Sequence, residues 1–302
     1  MSSGLGFAVY LVLVLLGGGL LGAWLVRWGM LADEGWWSDF VAVNRGDRIM
    51  RRVQTVVAIL LAPWLLRCIG WRGLGDLGWS GSRRGIEQRW DVYRGFLFGL
   101  LAMGSIFAVA LWGGYREMTP STFGHWMASM VTGFLITGLG VGIIEETLTR
   151  GVLYRSMARS WGPWAGALVS SLIFAYVHFM KASPESLDAG AWAAVQSSLS
   201  HGFVREQHGG LKFLNLFLFG MVLCRMVYHR GDIWYAVGLH ASAVGMIRVI
   251  SKQSERVGDR SAWIGHSAKF DDGWMLTVLL ILLWLGFEIF RSTHSGKRHV
   301  HF

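Results

Sequence analysis

The chain has 302 residues, 53% hydrophobic and only 16% charged, with 17 Trp and a formal net charge of +9. This composition excludes a soluble domain with an ordinary polar surface and makes lipid the expected solvent. The basic residues are scattered through the connections without an aromatic-interleaved stripe, which excludes nucleic acid as a partner and leaves the lipid bilayer, with its anionic headgroups, as the natural one.

A membrane-crossing helix needs about 20 mainly apolar residues. Runs of that kind lie at 5–26, 53–69, 94–114, 127–147, 163–180, 211–228, 232–250 and 273–290. The predicted fold is therefore all-α, a polytopic membrane helix bundle of about eight transmembrane helices, with residues 1–302 forming a single integral membrane domain. The first run lacks a basic leader and a small-residue cleavage site and reads as a retained helix. Trp24, Trp28, Trp64, Trp71, Trp112, Trp234 and Trp274 fall near the ends of the runs, at headgroup level. The Gly- and Trp-rich stretch 70–79 reads either as a segment lying along the membrane surface or as a Gly-rich loop. Lys and Arg number 14 on each side of an eight-helix arrangement, so charge bias leaves the orientation undecided.

Cys68 and Cys224 each sit in an apolar run without metal-type spacing and read as packing residues. The connection 182–210 reads equally as a lid or as a plain link.

Chemistry is concentrated in three runs. An ionisable group at the centre of a membrane helix costs about 2.5–3.5 kcal/mol on insertion scales, so each is a functional candidate. The fourth run ends in Glu145-Glu146-Thr147-Leu148-Thr149-Arg150, the fifth contains Phe174-Ala175-Tyr176-Val177-His178, and the seventh contains Gly238-Leu239-His240-Ala241-Ser242. Glu146 and Arg150 are four apart and share a helix face, as an ion pair would require. Glu145 projects about 100° away, free to face a cavity as general base. The bland reading is a pair of acids anchored by Arg150 at a helix end, with His178 and His240 as hydrogen-bonded core histidines. Two carboxylates and two imidazoles on three apolar helices can instead converge in a bundle interior and activate water.

These three motifs, with Phe219-Gly220-Met221 and Gly231-Asp232-Ile233-Trp234 before the last histidine, resemble the signatures of the CPBP family of intramembrane proteases, the type II CAAX-processing endopeptidases. The resemblance covers about residues 128–250, which would be the catalytic core. It implies an endopeptidase in which Glu145 and His178 activate water, His240 stabilises the oxyanion, and Glu146 and Arg150 orient the site. It further implies a membrane-anchored protein or hydrophobic peptide as substrate, a bacterial plasma membrane location, and zinc as a candidate cofactor on Glu145, His178 and His240. One departure is Val244, where many members carry Asn four residues after the histidine; Ser242 or a backbone N–H is the available replacement. The rival reading is a non-catalytic scaffold or bacteriocin-immunity-type protein that keeps the polar cluster.

Overall fold

All eight apolar runs are helical in the computed structural model, which describes residues 3–32, 34–71, 73, 75–80, 85–200, 208–257 and 262–294. In chain order the helices are α1 (Leu5–Leu31), α2 (Trp36–Val43), α3 (Gly46–Cys68), α4 (Gly85–Trp112), α5 (Phe123–Trp161), α6 (Pro163–Val177), α7 (Pro184–Ala189), α8 (Ala191–Ser200), α9 (Gly209–Arg230), α10 (Trp234–Gln253) and α11 (Trp274–His294). Two three-residue strands, β1 (Arg116–Met118) and β2 (Ser254–Arg256), pair antiparallel.

Among the described residues, α1, α3, α5, α9 and the Arg89–Trp112 part of α4 are long and apolar enough to cross a membrane. α6 and the Trp274–Ile289 part of α11 are apolar but shorter, and α10 has 20 residues but carries His240, Arg248 and Lys252. The chain is an all-α polytopic integral membrane protein.

Packing falls into two compact units, Met1–Arg72 with Tyr176–Gly209, and Gly73–Ala175 with Gly210–Phe302. In the first, glycines on α1 admit α3 closely: a Cβ on Gly22 would lie 2.9 Å from the Met50 backbone. Ala23, Val26, Val41, Ile49, Met50, Ala194 and Val195 form its core. The connection 182–210 is largely α7 and α8, with Arg27 donating to the Leu187 carbonyl at 3.0 Å; residues 201–207 lie outside the described set.

In the second unit α10 lies between α4 and α5, and the contact is made by small residues on both sides. A Cβ on Gly95 of α4 would lie 2.1 Å from the Tyr235 carbonyl oxygen, and one on Gly238 would lie 2.1 Å from that of Val92. On the α5 side, a Cβ on Gly138 would meet the Ala241 oxygen at 2.4 Å, and one on Gly142 the Ala241 nitrogen at 3.1 Å. Small residues that let backbones touch are how membrane helices gain packing when lipid gives no hydrophobic drive.

α5 is 39 residues long and contains two π-helical stretches, Val131–Gly138 and Thr147–Tyr154. At 1.5 Å per residue it reaches up to about 58 Å, nearly twice a bilayer core of about 30 Å. The expectation that the fourth span ends at the acidic pair is therefore corrected: Glu145 and Glu146 are interior to a continuous helix. The i→i+5 bonding of a π segment changes which residues stack, and here it sets Gly133 and Gly138, five apart, both against α10. The Gly-rich stretch beyond Gly73 is a docked loop, with Leu77 buried and the Gly78 carbonyl accepting from Ile233 N–H at 3.1 Å. Gly78 has φ +81, a conformation that glycine adopts without strain.

Candidate active site in the second unit

Glu146 is fully buried in α5 and Arg150, one turn on, is 1% exposed. Arg150 Nη1 donates to Glu146 Oε1 at 2.9 Å, and His240 Nδ1 from α10 reaches the same oxygen at 2.6 Å. An oxygen receiving a guanidinium N–H is an acceptor, so the imidazole donates from Nδ1. This fixes the ring and leaves Nε2 for other work. Nε2 lies 3.8 Å from Glu145 Oε2. The Glu145 side chain is 35% exposed where that of Glu146 is 0%, so adjacent carboxylates sit in different surroundings.

Aromatic rings wall the group. Phe219 of α9 stands edge-on to His240 with ring centroids 5.3 Å apart, and Phe174 of α6 does so at 6.1 Å. Phe174 also lies under the Arg150 guanidinium, its centroid 4.5 Å from Cζ. Arg150 further donates to Thr149 Oγ1 at 2.6 Å and to the Gly220 carbonyl at 3.4 Å. Cation–π contact and charge-assisted hydrogen bonds together offset the cost of burying the guanidinium. Among the described residues, Glu146 Oε2 is buried without a hydrogen-bond partner. On the loop side, Trp79 Nε1 donates to Thr147 Oγ1 at 3.1 Å, and Trp234 Nε1 to the Trp79 carbonyl at 2.8 Å.

Residues 126–246, which contain every one of these site groups except Trp79, match the family model for type II CAAX prenyl endopeptidases, Rce1-like. This segment resembles a CAAX endopeptidase core. No curated protein and no solved structure matches the chain. The match covers less than half of the chain and supports an endopeptidase at the level of this family.

Within this segment, α5 and α10 bring Glu145, Glu146, Arg150 and His240 together. His178 follows α6 by one residue, is half-buried, and belongs to the first unit; Phe174, the other fixed residue of its motif, belongs to the second. Ser242 cannot replace the missing Asn of the third signature: its Oγ donates to the Leu239 carbonyl at 2.9 Å, on the side of α10 that faces Gly99 of α4. Val244 is one turn beyond His240 on the same face and supplies no amide. Among the described residues no group of three or more His, Cys, Asp or Glu side chains is arranged to hold a metal ion.

Sequence reading missed a second ionic group of this unit. Arg225 of α9 binds Glu288 of α11 through Nε at 2.6 Å and Nη2 at 3.1 Å, while stacking on Trp164 at 4.1 Å. His229 Nε2 lies 3.4 Å from the same carboxylate. Arg225 and His229 are four apart in an apolar run, a spacing that marks them as a shared face.

Proposed function

We propose that the chain is an intramembrane endopeptidase that hydrolyses a peptide bond of a membrane-associated protein or hydrophobic peptide, using a water activated at Glu145. The observation that carries this reading is the asymmetry of the two carboxylates around one imidazole. Glu146, held by Arg150, accepts from His240 Nδ1, while Glu145, partly open, faces Nε2.

In the proposed reaction, the Glu145 carboxylate takes a proton from water as its oxygen bonds to the scissile carbonyl carbon. His240, donating from Nδ1 to Glu146 and carrying a second proton on Nε2 as the imidazolium, donates to the oxyanion that forms. The tetrahedral intermediate collapses, the C–N bond breaks, and protonated Glu145 returns its proton to the leaving amine. Glu146 and Arg150 orient His240 throughout, and His178, from the sequence signature, acts as a second base with Glu145. A zinc-dependent version on Glu145, His178 and His240 remains the alternative carried by the sequence resemblance. Chelation separates the two, because a metal-free glutamate mechanism keeps its rate after exhaustive EDTA treatment and dialysis. The location we assign is a bacterial plasma membrane.

The test is reconstitution of purified protein in lipid with a prenylated C-terminal CAAX peptide and its unprenylated twin. Cleavage by the wild type and none by Glu145→Gln supports the reading, and a prenyl requirement fixes the substrate class. Equal cleavage by wild type and Glu145→Gln contradicts the assignment of the base. A second reading, a non-catalytic scaffold, is favoured by Val244 and predicts that partner binding survives Glu145→Gln while no substrate is ever cut.

A further inference from the structure

Away from the active site, the β1–β2 ladder sets Arg116 directly opposite Arg256, and Glu117 opposite Glu255. Strand alternation sends the two arginines to one face and the two acids to the other. Like charges directly opposed across a ladder are destabilising, so the arginine pair asks for a neutralising partner. Arg116 is 5% exposed, yet its Nε and Nη2 are used on Ser254 Oγ at 2.9 Å and on the Ser254 carbonyl at 2.8 Å, both neutral acceptors. Among the described residues neither arginine forms an ion pair. Burial, and after it the charge of Arg256, hold the Arg116 guanidinium below its ordinary pKa.

Both arginines line one partly open cleft, which Tyr115, Ser267 and Phe270 also border and which, among the described residues, no carboxylate lines. Asp271 and Asp272, next in sequence, already have partners: Asp271 accepts from Ser267 Oγ and pairs with Lys212 at 3.7 Å, and Asp272 accepts from the amides of His266 and Ser267 at 3.0 and 2.9 Å. Phe270, whose ring centroid is 5.5 Å from Arg116 Cζ, has φ +58. A left-handed conformation in a bulky residue is an outlier of the kind found at ligand clamps. The ladder joins the ends of α4 and α10 to the starts of α5 and α11. Exposed rings crowd that level, with Trp112 91%, Phe123 80% and Trp274 49% exposed, as at a membrane–water boundary.

We propose that the Arg116–Arg256 cleft is a phosphate-binding site at the headgroup level of the membrane. Its ligand chemistry is a phosphate oxyanion, supplied by an anionic phospholipid headgroup or by soluble phosphate. Two guanidiniums converging on one cleft are suited to phosphate oxygens. Occupation would also relieve the repulsion across the ladder.

Full-length protein purified in uncharged detergent tests this by thermal unfolding and native mass spectrometry, with phosphatidylglycerol, phosphatidylcholine or inorganic phosphate added. The expected result is stabilisation and retention by phosphatidylglycerol over phosphatidylcholine, weakened roughly fivefold by Arg256→Gln. The exposed Arg256 is the variant of choice because Arg116→Gln removes a buried hydrogen-bonding side chain and is the one that threatens folding. Stabilisation by phosphatidylglycerol alone identifies a lipid headgroup site, and stabilisation by inorganic phosphate as well identifies a site for the phosphate itself. No preference for either anion, or a preference that Arg256→Gln leaves unchanged, would overturn the proposal.

Discussion

Glu145 and Glu146 are neighbours in sequence with opposite environments, and the difference follows from which way each leaves α5. Glu146 meets Arg150 and His240 in the interior, while the Glu145 side chain stays partly exposed. The consequences for substitution diverge. Glu145→Gln removes a partly exposed carboxylate and is expected to leave thermal unfolding within about 0.5 kcal/mol of wild type while cleavage is lost. Arg150→Ala leaves a buried carboxylate and is expected to cost about 3–5 kcal/mol in an unfolding titration in detergent. A cost below about 1 kcal/mol would mean the pair is solvated. The Glu146–Arg150 pair was legible in the sequence, because four-residue spacing on one helix needs no tertiary knowledge. The donation from His240 Nδ1 to Glu146 was not, since it depends on how α10 rotates against α5. For the same reason Ser242, adjacent in sequence to the site, proved to point away from it.

At the scale of elements, α10 is held by backbone contact with α4 and α5, so glycines should be intolerant where they meet backbone and tolerant where they do not. Gly138→Ala places a methyl 2.4 Å from the Ala241 oxygen and should destabilise by about 1–3 kcal/mol. Gly140→Ala, on the same helix with nothing within 4 Å, should be neutral or stabilising by up to about 1 kcal/mol. Equal effects in paired melting experiments would refute the seam. The apolar runs disclosed every long helix because hydropathy reports lipid contact directly. The α4–α10 seam was readable too, in Gly95-x-x-x-Gly99 and Gly238-x-x-x-Ser242, but only to a reader looking for small-residue spacing. The continuation of α5 to Trp161 was hidden, because Arg150, Arg155 and Arg159 lower its hydropathy although the first two are buried. Their burial rests on partners elsewhere in the chain: Arg155 donates to the Asp76 carbonyl at 3.1 Å, across 79 residues.

For the whole molecule, the eight apolar runs read from the sequence predict that the two ends of the chain lie on the same side of the membrane. Protease-accessible tags at the two ends should then be cut from the same face of oriented vesicles; opposite faces would mean that α6, α10 or α11 does not cross. The sequence left orientation open because its basic residues are balanced between the sides, and folding does not alter that balance. It did disclose the segment that the family model matches, because three motifs in fixed order survive in the linear chain whatever their packing.

The central claim is that Glu145 drives peptide hydrolysis, and the most direct measurement compares protein termini in membranes from cells carrying the wild type or Glu145→Ala. We predict a set of new termini, in membrane-associated proteins, that is present with the wild type and lost in the variant expressed at equal level. Identical termini in the two membranes, with both proteins folded, would contradict the protease reading and leave the buried cluster as a structural network.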